Sequence, residues 1–287
     1  MPELPEVEVV KKSLTKTIVN LTIKNIIFNT NKLRYIIDKK KLKKIINKKV
    51  LSVKRRSKYL LINFDKNITI IVHLGMTGKF LVSKNNHKRK TSFYYEIEGN
   101  ERKHNHIIFE FNKKTKLIYN DVRKFGFIEA KSTNKIINTL YLKKLGPEPL
   151  SNKFNLIYFR KYIRKRKKIL KSLLMDQTFV SGLGNIYVNE VLYMTNLHPK
   201  KDINKINDAE IRNLINSIKK ILKKSIREGG SSIKNFNDTR GKSGSYQQNF
   251  YVYAREGKKC HQNNCSDIIR RIVISNRSTF YCKSCQK

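Results

Sequence analysis

The stretch LGPEPL at residues 145–150 divides the chain into two parts with different sequence patterns. Before it, from about residue 21 to 130, short segments rich in Ile, Tyr and Phe alternate with polar and turn residues. Examples are YLLINF at 59–64 and ITIIVHLG at 68–75. Such segments predict the strands of a β-sandwich or a barrel. After the break, apolar residues recur at three- and four-residue spacing, which predicts helices.

Several helices are predicted on both sides of this break. Residues 5–18 form one apolar face, and Pro5 suits the first helical position because its missing N–H costs nothing there. Asp208 is a candidate N-cap for a long helix that ends at Gly229 and Gly230. The other predicted helices cover residues 39–49, 155–176 and 185–195.

The composition is strongly basic. Lys and Arg total 63 against 21 Asp and Glu, which gives a formal net charge of +42 and a pI near 10.2. A basic excess of this size favours a polyanionic partner, most often nucleic acid. The chain is also rich in Lys, Asn and Ile, so the codon bias of an AT-rich genome explains part of the excess. The charge therefore supports nucleic-acid binding without proving it.

Hydrophobic residues make up 39% of the 287 positions, which allows one large domain or two to three smaller ones. Residues 1–20 lack the apolar segment of a secretory signal. There is no run of about 18 apolar residues that could span a membrane. We therefore expect a cytoplasmic protein with no membrane partner. We also expect it to be a monomer.

All four cysteines lie in the last 28 residues. Four residues separate Cys260 from Cys265, and two separate Cys282 from Cys285. Two close pairs of thiolates joined by a hairpin-sized segment fit tetrahedral zinc, and four filled positions make the site structural. Unpaired thiols are the alternative, but they require all four cysteines to cluster by chance. The intervening stretch IIRRIVISNRSTFYC predicts two strands.

A cationic segment precedes a glycine-containing turn. FRKYIRKRKKILK, residues 159–171, is predicted to be helical, and no Asp or Glu occurs from Pro149 to Met175. VSGLGNIYVNE, residues 180–190, then joins two predicted helices through Gly-x-Gly-Asn. Glycines let the backbone approach a phosphate, and the next helix offers free N–H groups. A solvated helix face and a plain interhelical turn are the alternatives.

The N-terminal stretch MPELPEVE combines prolines with acids in a basic protein. If Met1 is removed, Pro2 becomes a free secondary amine, whose pKa lies several units below that of lysine. Such an amine can attack an aldehyde-level sugar carbon, and the adduct stays an iminium cation that favours elimination of a phosphate. Glu3 can move protons beside it. A well-capped helix start is the alternative interpretation.

Six motifs occur in an order that identifies a family. They are MPELPEVE (1–8), RRSKYLL (55–61), HLGMTGKF (73–80), YNDVRKFG (119–126), LMDQTFVSGLGNIYVNE (174–190) and NRSTFYCKSCQK (276–287), with LGPEPL between the fourth and fifth. The chain closely resembles bacterial formamidopyrimidine-DNA glycosylases, which remove oxidised purines from DNA in base excision repair. The resemblance runs from residue 2 to 287.

The resemblance implies an α+β fold with one structural zinc ion, acting on damaged double-stranded DNA at the bacterial nucleoid without a small-molecule cofactor. The expected parts are an N-terminal catalytic β-sandwich with flanking helices (1–130), a helix–two-turn–helix domain (145–230), a lesion-recognition loop (231–250) and a zinc-finger β-hairpin (251–287).

The resemblance also implies the chemistry of single residues. Pro2 is expected to attack C1′ of the damaged nucleotide, with Glu3 as acid and base and Glu6 supporting the site. Lys58 is expected to donate a proton during base loss and β-elimination, and Arg277 to hold phosphate and serve δ-elimination.

Further residues are expected to contact DNA, because a base inside a duplex must be extruded before an enzyme can reach it. An apolar or aromatic side chain can fill the gap, and an arginine can pair with the orphaned base. The gap-filling residues implied by the resemblance are Met76, Arg123 and Phe125; the phosphate and DNA contacts are Lys58, His104, Arg123, Arg166 and Asn185.

The sequence departs from the family pattern at a few places. Four residues lie between Cys260 and Cys265 where two are usual, which zinc tolerates. Lys124 replaces a common Arg, and Arg166 replaces a common Lys, so both keep the charge. The 231–250 loop matches only loosely.

Two other functions remain open at this point. A sister class, the endonuclease VIII-like glycosylases for oxidised pyrimidines, shares the Pro-Glu start and the zinc hairpin. It usually has Gly where Leu4 stands and lacks the HLGMTG motif. A non-catalytic zinc-ribbon protein that binds nucleic acid would explain the charge and the cysteines, but not the chemistry of a free Pro2.

Overall fold

The computed structural model describes residues 1–84, 87–89, 101–231 and 246–287, with backbone alone for 87–89, 101 and 102. The chain divides into two units. Unit 1 comprises Met1–Lys143 and Glu228–Gln247, and unit 2 comprises Lys144–Arg227 and Gln248–Lys287. The LGPEPL break lies just after the point where the chain leaves unit 1. No helix in the described ranges is long and apolar enough to cross a membrane.

Unit 1 is a β-sandwich of two antiparallel sheets. The larger has the order β1-β7-β8-β5-β6 and the smaller the order β2-β3-β4-β9. The strands are β1 Ile23–Phe28, β2 Val50–Arg56, β3 Tyr59–Phe64, β4 Ile68–His73, β5 Lys79–Lys84, β6 His87–Arg89, β7 Asn105–Phe111, β8 Thr115–Asn120 and β9 Phe127–Ser132. This arrangement confirms the sandwich and rules out a closed barrel.

One apolar core joins both sheets to the first helix of unit 1. Helix α1, Leu4–Ile18, buries Val7, Val10, Leu14 and Ile18 to 1% exposure or less. The same cluster contains side chains from eight strands, among them Leu60 on β3 and Phe109 on β7. The helix begins at Leu4, so Pro5 stands one position later than predicted.

The remaining helices of unit 1 are short. Helix α2 covers only Lys39–Lys43 of the predicted 39–49, and Asp38 Oδ1 accepts a bond from Lys41 N at its start. Helix α3 covers Leu140–Lys143. Short 3-10 helices occupy Glu101–His104 and Thr133–Asn138, and a further one at Tyr246–Asn249 begins in unit 1 and ends in unit 2.

Unit 2 contains four helices and a two-stranded hairpin. They are α4 Leu156–Ile163, α5 Leu170–Met175, α6 Asn185–Met194, α7 Asp208–Arg227, β10 Ile269–Ile274 and β11 Arg277–Cys282, with a 3-10 turn at Ile203–Lys205. The hairpin confirms the two strands predicted between the cysteine pairs. Its two-residue turn has positive φ at both Ser275 (50°) and Asn276 (56°), as a tight hairpin turn requires.

The prediction of one long basic helix across 155–176 is wrong. Helix α4 ends at Ile163, and the RKRKK run forms a loop in which Lys165 has a φ of +61°. Five consecutive cations would repel one another at i,i+4 spacing in a helix. The Leu170 N–H instead donates to Lys201 O at 2.8 Å, and the Lys171 N–H donates to Pro199 O at 3.1 Å. A continuous helix would pair both N–H groups with carbonyls four residues earlier, so the helix is interrupted here.

The N-cap of α7 also differs from the prediction. Asn207, not Asp208, caps the helix, because Asn207 Oδ1 accepts from Glu210 N at 2.9 Å. Glu210 Oε2 accepts from Asn207 N at 3.0 Å in return, which completes a capping box. The predicted end is confirmed, since Gly229 and Gly230 both have positive φ.

Candidate active site

The acids of the N-terminal segment are buried and hold its backbone. Glu3 is the N-cap of α1 and is 3% exposed, and Glu6 is 1% exposed. Glu6 Oε2 accepts from Glu3 N at 2.8 Å, while its Oε1 accepts from the N–H and the hydroxyl of Ser231 at 2.8 and 2.9 Å. One carboxylate therefore ties the residue after Pro2 to the segment that leads into the 231–250 loop, of which 232–245 lie outside the described residues.

Gly230 makes this approach possible. Its φ is +86°, and a Cβ there would lie 3.2 Å from Glu6 Oε1 and 3.3 Å from Glu6 Cγ. A side chain would therefore be strained and would press on the carboxylate.

Lys58 lies in the two-residue turn between β2 and β3. Arg56 pairs with Tyr59 across this turn, and Ser57 has a φ of +53°. Lys58 is only 7% exposed. A lysine in the turn of a hairpin is normally exposed to solvent, so the burial of Lys58 is unusual.

Met76 and Phe125 lie on two turns that touch through their backbones. Met76 follows β4, and Phe125 follows β8. A Cβ on Gly75 would lie 2.4 Å from Phe125 C and 2.5 Å from Gly126 N, so only glycine permits this contact. Met76 is 43% exposed and Phe125 is 46% exposed. The Arg123 guanidinium lies over the Phe125 ring at 4.4 Å, so the three predicted gap-filling residues belong to one paired-turn feature.

Asp121 holds the paired turns together. It is fully buried, and its Oδ2 accepts from Gly126 N at 2.8 Å. The Thr77 hydroxyl donates to Asp121 Oδ1 and accepts from Arg123 N at 3.0 Å. Sequence reasoning missed this residue, although it is the acid of the DVRKFG motif in a chain with few acids.

Two histidines flank this feature. His73 Nδ1 accepts from Gly75 N at 3.1 Å, so that nitrogen carries no proton. Burial, together with the charges of Lys58 and Arg34, lowers the pKa of His73 to about 4. His73 is therefore neutral at pH 7 and near Lys58. The predicted contact His104 is half-buried, and its carbonyl accepts from Asp121 N at 3.2 Å.

In unit 2, Arg277 opens β11 with an exposed side chain. Next to it, Ser278 O accepts bonds from Asn185 Nδ2 at 2.9 Å and from Lys171 Nζ at 3.3 Å. Lys171 also donates to Thr279 Oγ1 at 2.6 Å. Burial and the charge of Arg277 lower the pKa of Lys171 to about 8. The predicted residues Asn185 and Arg277 therefore lie at one site, with Lys171 as a member that sequence reasoning missed.

Arg166 lies in the basic loop rather than on a helix. Its guanidinium is 4.3 Å from the centroid of the Tyr162 ring, and its carbonyl accepts from Asn204 Nδ2 at 3.2 Å. The loop is therefore held in place while its cations face outward.

The four cysteine sulfurs of unit 2 form one compact cluster. All four lie within 4.8 Å of one another, and the Cys260–Cys285 and Cys265–Cys282 sulfurs are 3.7 Å apart. Tetrahedral zinc with thiolates at about 2.3 Å places its sulfurs about 3.8 Å apart, so the cluster fits this ion. The longer Cys260–Cys265 knuckle accommodates the same geometry. Tyr193 Oη lies 3.1 Å from Cys260 Sγ, which links the cluster to α6.

Comparison with known proteins decides the family. The chain matches the formamidopyrimidine-DNA glycosylase N-terminal domain over residues 1–128, the H2TH domain of that family over 145–237, and the zinc finger found in FPG and IleRS over 257–287. The chain belongs to the formamidopyrimidine-DNA glycosylase family. It is therefore a DNA repair glycosylase with a zinc finger.

Full-length relatives agree with this assignment. The formamidopyrimidine-DNA glycosylases of Rickettsia bellii and Rickettsia canadensis are 42% and 41% identical, over 100% of this chain and 100% and 99% of theirs. The Lactococcus lactis Fpg in complex with abasic-site DNA is similar with a TM-score of 0.86, 36% identity and 99% coverage of both chains. MutM in complex with DNA containing carbocyclic 8-oxo-G is similar with a TM-score of 0.85, 36% identity and full coverage.

Family membership makes the cysteine cluster a structural zinc site, as predicted.

A further carboxylate of unit 2 was missed. Glu190 is fully buried and accepts bonds from the N–H groups of Tyr251, Val252 and Tyr253 at 2.8 to 3.1 Å. A signal existed, because Glu190 is the one acid between Asp176 and Asp202.

Proposed function

We propose that this glycosylase excises oxidised purines from double-stranded DNA and then cleaves the strand as an AP lyase, with Pro2 as the nucleophile. The arrangement of Glu3 and Glu6 around the N-terminus carries this proposal. Two buried carboxyl groups lie shortly after the residue whose nitrogen would become a secondary amine once Met1 is removed, and Glu6 binds the backbone N–H next to that residue. Glu3 and Glu6 together form the capping box of α1, but a capping box alone does not need Glu6 to bind a second segment at Ser231 as well.

The proposed chemistry follows from this placement. The Pro2 nitrogen attacks C1′, the glycosidic bond breaks, and the base leaves with the bonding electron pair and a proton. Glu3 then gives a proton to the ring oxygen O4′, and the opened sugar is an iminium cation on Pro2. The cation acidifies C2′, so loss of a proton there expels the 3′ phosphate. A second elimination expels the 5′ phosphate.

The other residues support these steps. Lys58 is proposed to donate a proton during base loss and to bind phosphate, and its burial keeps a cation fixed in a tight turn. Arg277 is proposed to hold phosphate during δ-elimination, together with Asn185. The zinc ion supplies a crosslink that folds the hairpin, because so short a segment has little core of its own. Met76, Arg123 and Phe125 are proposed to fill the gap left by the extruded nucleotide.

Several finer points belong to the same proposal. The segments 1–130, 145–230, 231–250 and 251–287 are proposed as the functional domains, with 231–250 closing over the lesion. His104 and Arg166 are proposed as additional DNA contacts. The protein is proposed to work as a monomer at the bacterial nucleoid.

The test is borohydride trapping on duplex DNA that contains 8-oxoguanine opposite cytosine. We expect a covalent protein–DNA adduct and strand cleavage that leaves phosphate on both ends. Pro2→Gly should abolish the adduct, while Pro5→Ala, a proline change three residues on, should keep it. Mass spectrometry of the active protein should show that Met1 is absent.

The outcomes separate the alternatives. Absence of an adduct with correctly processed protein would contradict the lyase mechanism on Pro2, and absence of base excision as well would favour a non-catalytic DNA-binding protein. Faster excision of oxidised thymine than of 8-oxoguanine would contradict the proposed purine substrate and favour a pyrimidine substrate like that of the endonuclease VIII-like class.

A further inference from the structure

Arg55 connects helix α1 to the turn that carries Lys58. Its Nε donates to Glu8 Oε2 at 2.8 Å, and its Nη1 donates to Ser57 O at 2.9 Å. The side chains of Arg55 and Glu8 are 10% and 15% exposed. One guanidinium therefore bonds at the same time to the helix that follows Pro2 and to the carbonyl just before Lys58.

The bond to Ser57 O acts on Lys58 through the peptide plane. The carbonyl of Ser57 and the N and Cα atoms of Lys58 belong to one planar peptide unit. Fixing that carbonyl therefore fixes where the Lys58 Cα lies, and only rotation about the N–Cα bond of Lys58 is left to set the direction of its side chain. Ser57 has a φ of +53°, a conformation that is unfavourable for a residue with a Cβ and needs support from its surroundings.

The bond to Glu8 joins two largely buried charged groups. Burial raises the pKa of Glu8, but hydrogen bonds from Arg55 and Lys11 outweigh it, so the pKa lies below its usual value. The two partners use different oxygens, since Lys11 Nζ binds Glu8 Oε1 at 3.0 Å. Arg55 can therefore be tested separately from Lys11.

Arginine suits this position better than lysine. Its planar guanidinium holds the Nε and Nη1 donors in fixed directions relative to each other, whereas the ammonium of a lysine is a point charge on a flexible chain. The bonds to Glu8 and Ser57 use these two donors.

We infer that Arg55 is a positioning residue that sets Lys58 relative to the N-terminal nucleophile through the chain Glu8–Arg55–Ser57. The inference rests on the proposed role of Lys58 in the reaction. Arg55 itself acts through Lys58 and through α1, on which Glu8 follows Pro2 by six positions.

A double-mutant cycle tests this inference. The readout is the single-turnover rate of 8-oxoguanine excision at saturating enzyme, so that weaker DNA binding does not enter. Because misplacing a reacting group by about 1 Å can cost about 100-fold, Arg55→Ala should slow excision by about 10- to 100-fold. In a Lys58→Ala background the same change should cost less than about threefold, since no side chain remains to be positioned.

Matched variants make the result specific. Lys11→Ala removes the other partner of Glu8 and should leave the rate unchanged. Arg55→Lys keeps the charge but not the planar guanidinium, and it should be nearly as slow as Arg55→Ala. Glu8→Gln keeps an acceptor for Arg55 Nε and should be milder than Glu8→Ala.

The possible failures are distinguishable. If Arg55→Ala slows excision equally in both backgrounds, the residue only supports the fold and the inference is wrong. If Lys58→Ala is slow but Arg55→Ala is not, the inference alone fails. If Lys58→Ala is as fast as the wild type, the proposed role of Lys58 fails and the inference with it, while Pro2 trapping remains a separate test.

Discussion

Replacing Gly75 with alanine should separate the two turns that carry Met76 and Phe125. The added Cβ would lie 2.4 Å from Phe125 C and 2.5 Å from Gly126 N, so one turn must move by about 1 Å to reach ordinary contact. The φ of +63° adds backbone strain. Moving the Phe125–Gly126 peptide would also disturb the bond from Gly126 N to Asp121.

The expected cost can be worked from these two effects. Left-handed backbone costs an alanine about 1 kcal/mol relative to glycine. Forcing atoms into a packed site costs about 1–3 kcal/mol more. Gly75→Ala should therefore lower the free energy of unfolding of unit 1 by about 2–4 kcal/mol.

Gly257→Ala is the matched control. Gly257 has a φ of +75°, but a Cβ there would meet nothing within 4 Å, so only the backbone strain remains. Denaturant unfolding should show a loss of about 1 kcal/mol for this variant. In excision assays Gly75→Ala should be strongly impaired, since its gap-filling turns are displaced, while Gly257→Ala should be close to wild type.

Equal stability losses for the two variants would refute this reasoning. The same is true if Gly75→Ala kept wild-type affinity for duplex DNA with an abasic site, because that substrate needs the gap filled.

Three further predictions concern single groups. Glu190→Gln should lower the free energy of unfolding by about 3 kcal/mol, as measured by denaturant unfolding. The buried carboxylate accepts three backbone N–H bonds, and the glutamine would replace one of its oxygens with an NH2 group that cannot accept them. His73 has a pKa of about 4 in the fold against 6.5 in the unfolded chain, so the unfolded chain binds the proton more readily and stability falls as pH drops from about 6.5 to about 4. His73→Asn should remove up to about 3 kcal/mol of that loss, as seen in the difference between the two pH–stability curves. Cys282→Ser should release zinc, as measured by metal analysis, and weaken DNA binding; unchanged zinc content would contradict the four-cysteine site.

The strands and the zinc hairpin could be predicted because their signals are local. Alternating or continuous apolar segments such as YLLINF specify strands from neighbouring residues alone, and the paired cysteines specify a ligand set from spacing. The sandwich core and the sulfur separations of 3.7 Å agree with both. The motifs also placed Met76, Arg123 and Phe125 on turns after strands.

The failures arise where distant parts of the chain compete with local preference. The basic run after Ile163 leaves the helix because Leu170 and Lys171 bind carbonyls some 30 residues away, at Lys201 and Pro199. No local pattern distinguishes Lys171 from its cationic neighbours, yet its amine binds Thr279 across 108 positions. Buried polar partners of this kind are specified by the whole fold and not by a segment.

The polar residues of α6 explain how unit 2 holds its hairpin in one register. Asn185, Asn189 and Tyr193 recur at four-residue spacing, so they lie along one face of a largely buried helix. Asn185 donates to Ser278 O, and Asn189 Oδ1 accepts from Phe280 N at 2.9 Å.

Apolar packing alone would tolerate sliding of β11 along the helix, but these bonds do not. A slip of one residue would turn every side chain of the strand to its opposite face, and the exposed Arg277 would point inward. The two asparagines therefore fix the side on which Arg277 emerges, while Tyr193 extends the same face to the Cys260 sulfur. The polar face of one helix thus sets the orientation of both the arginine and the zinc cluster.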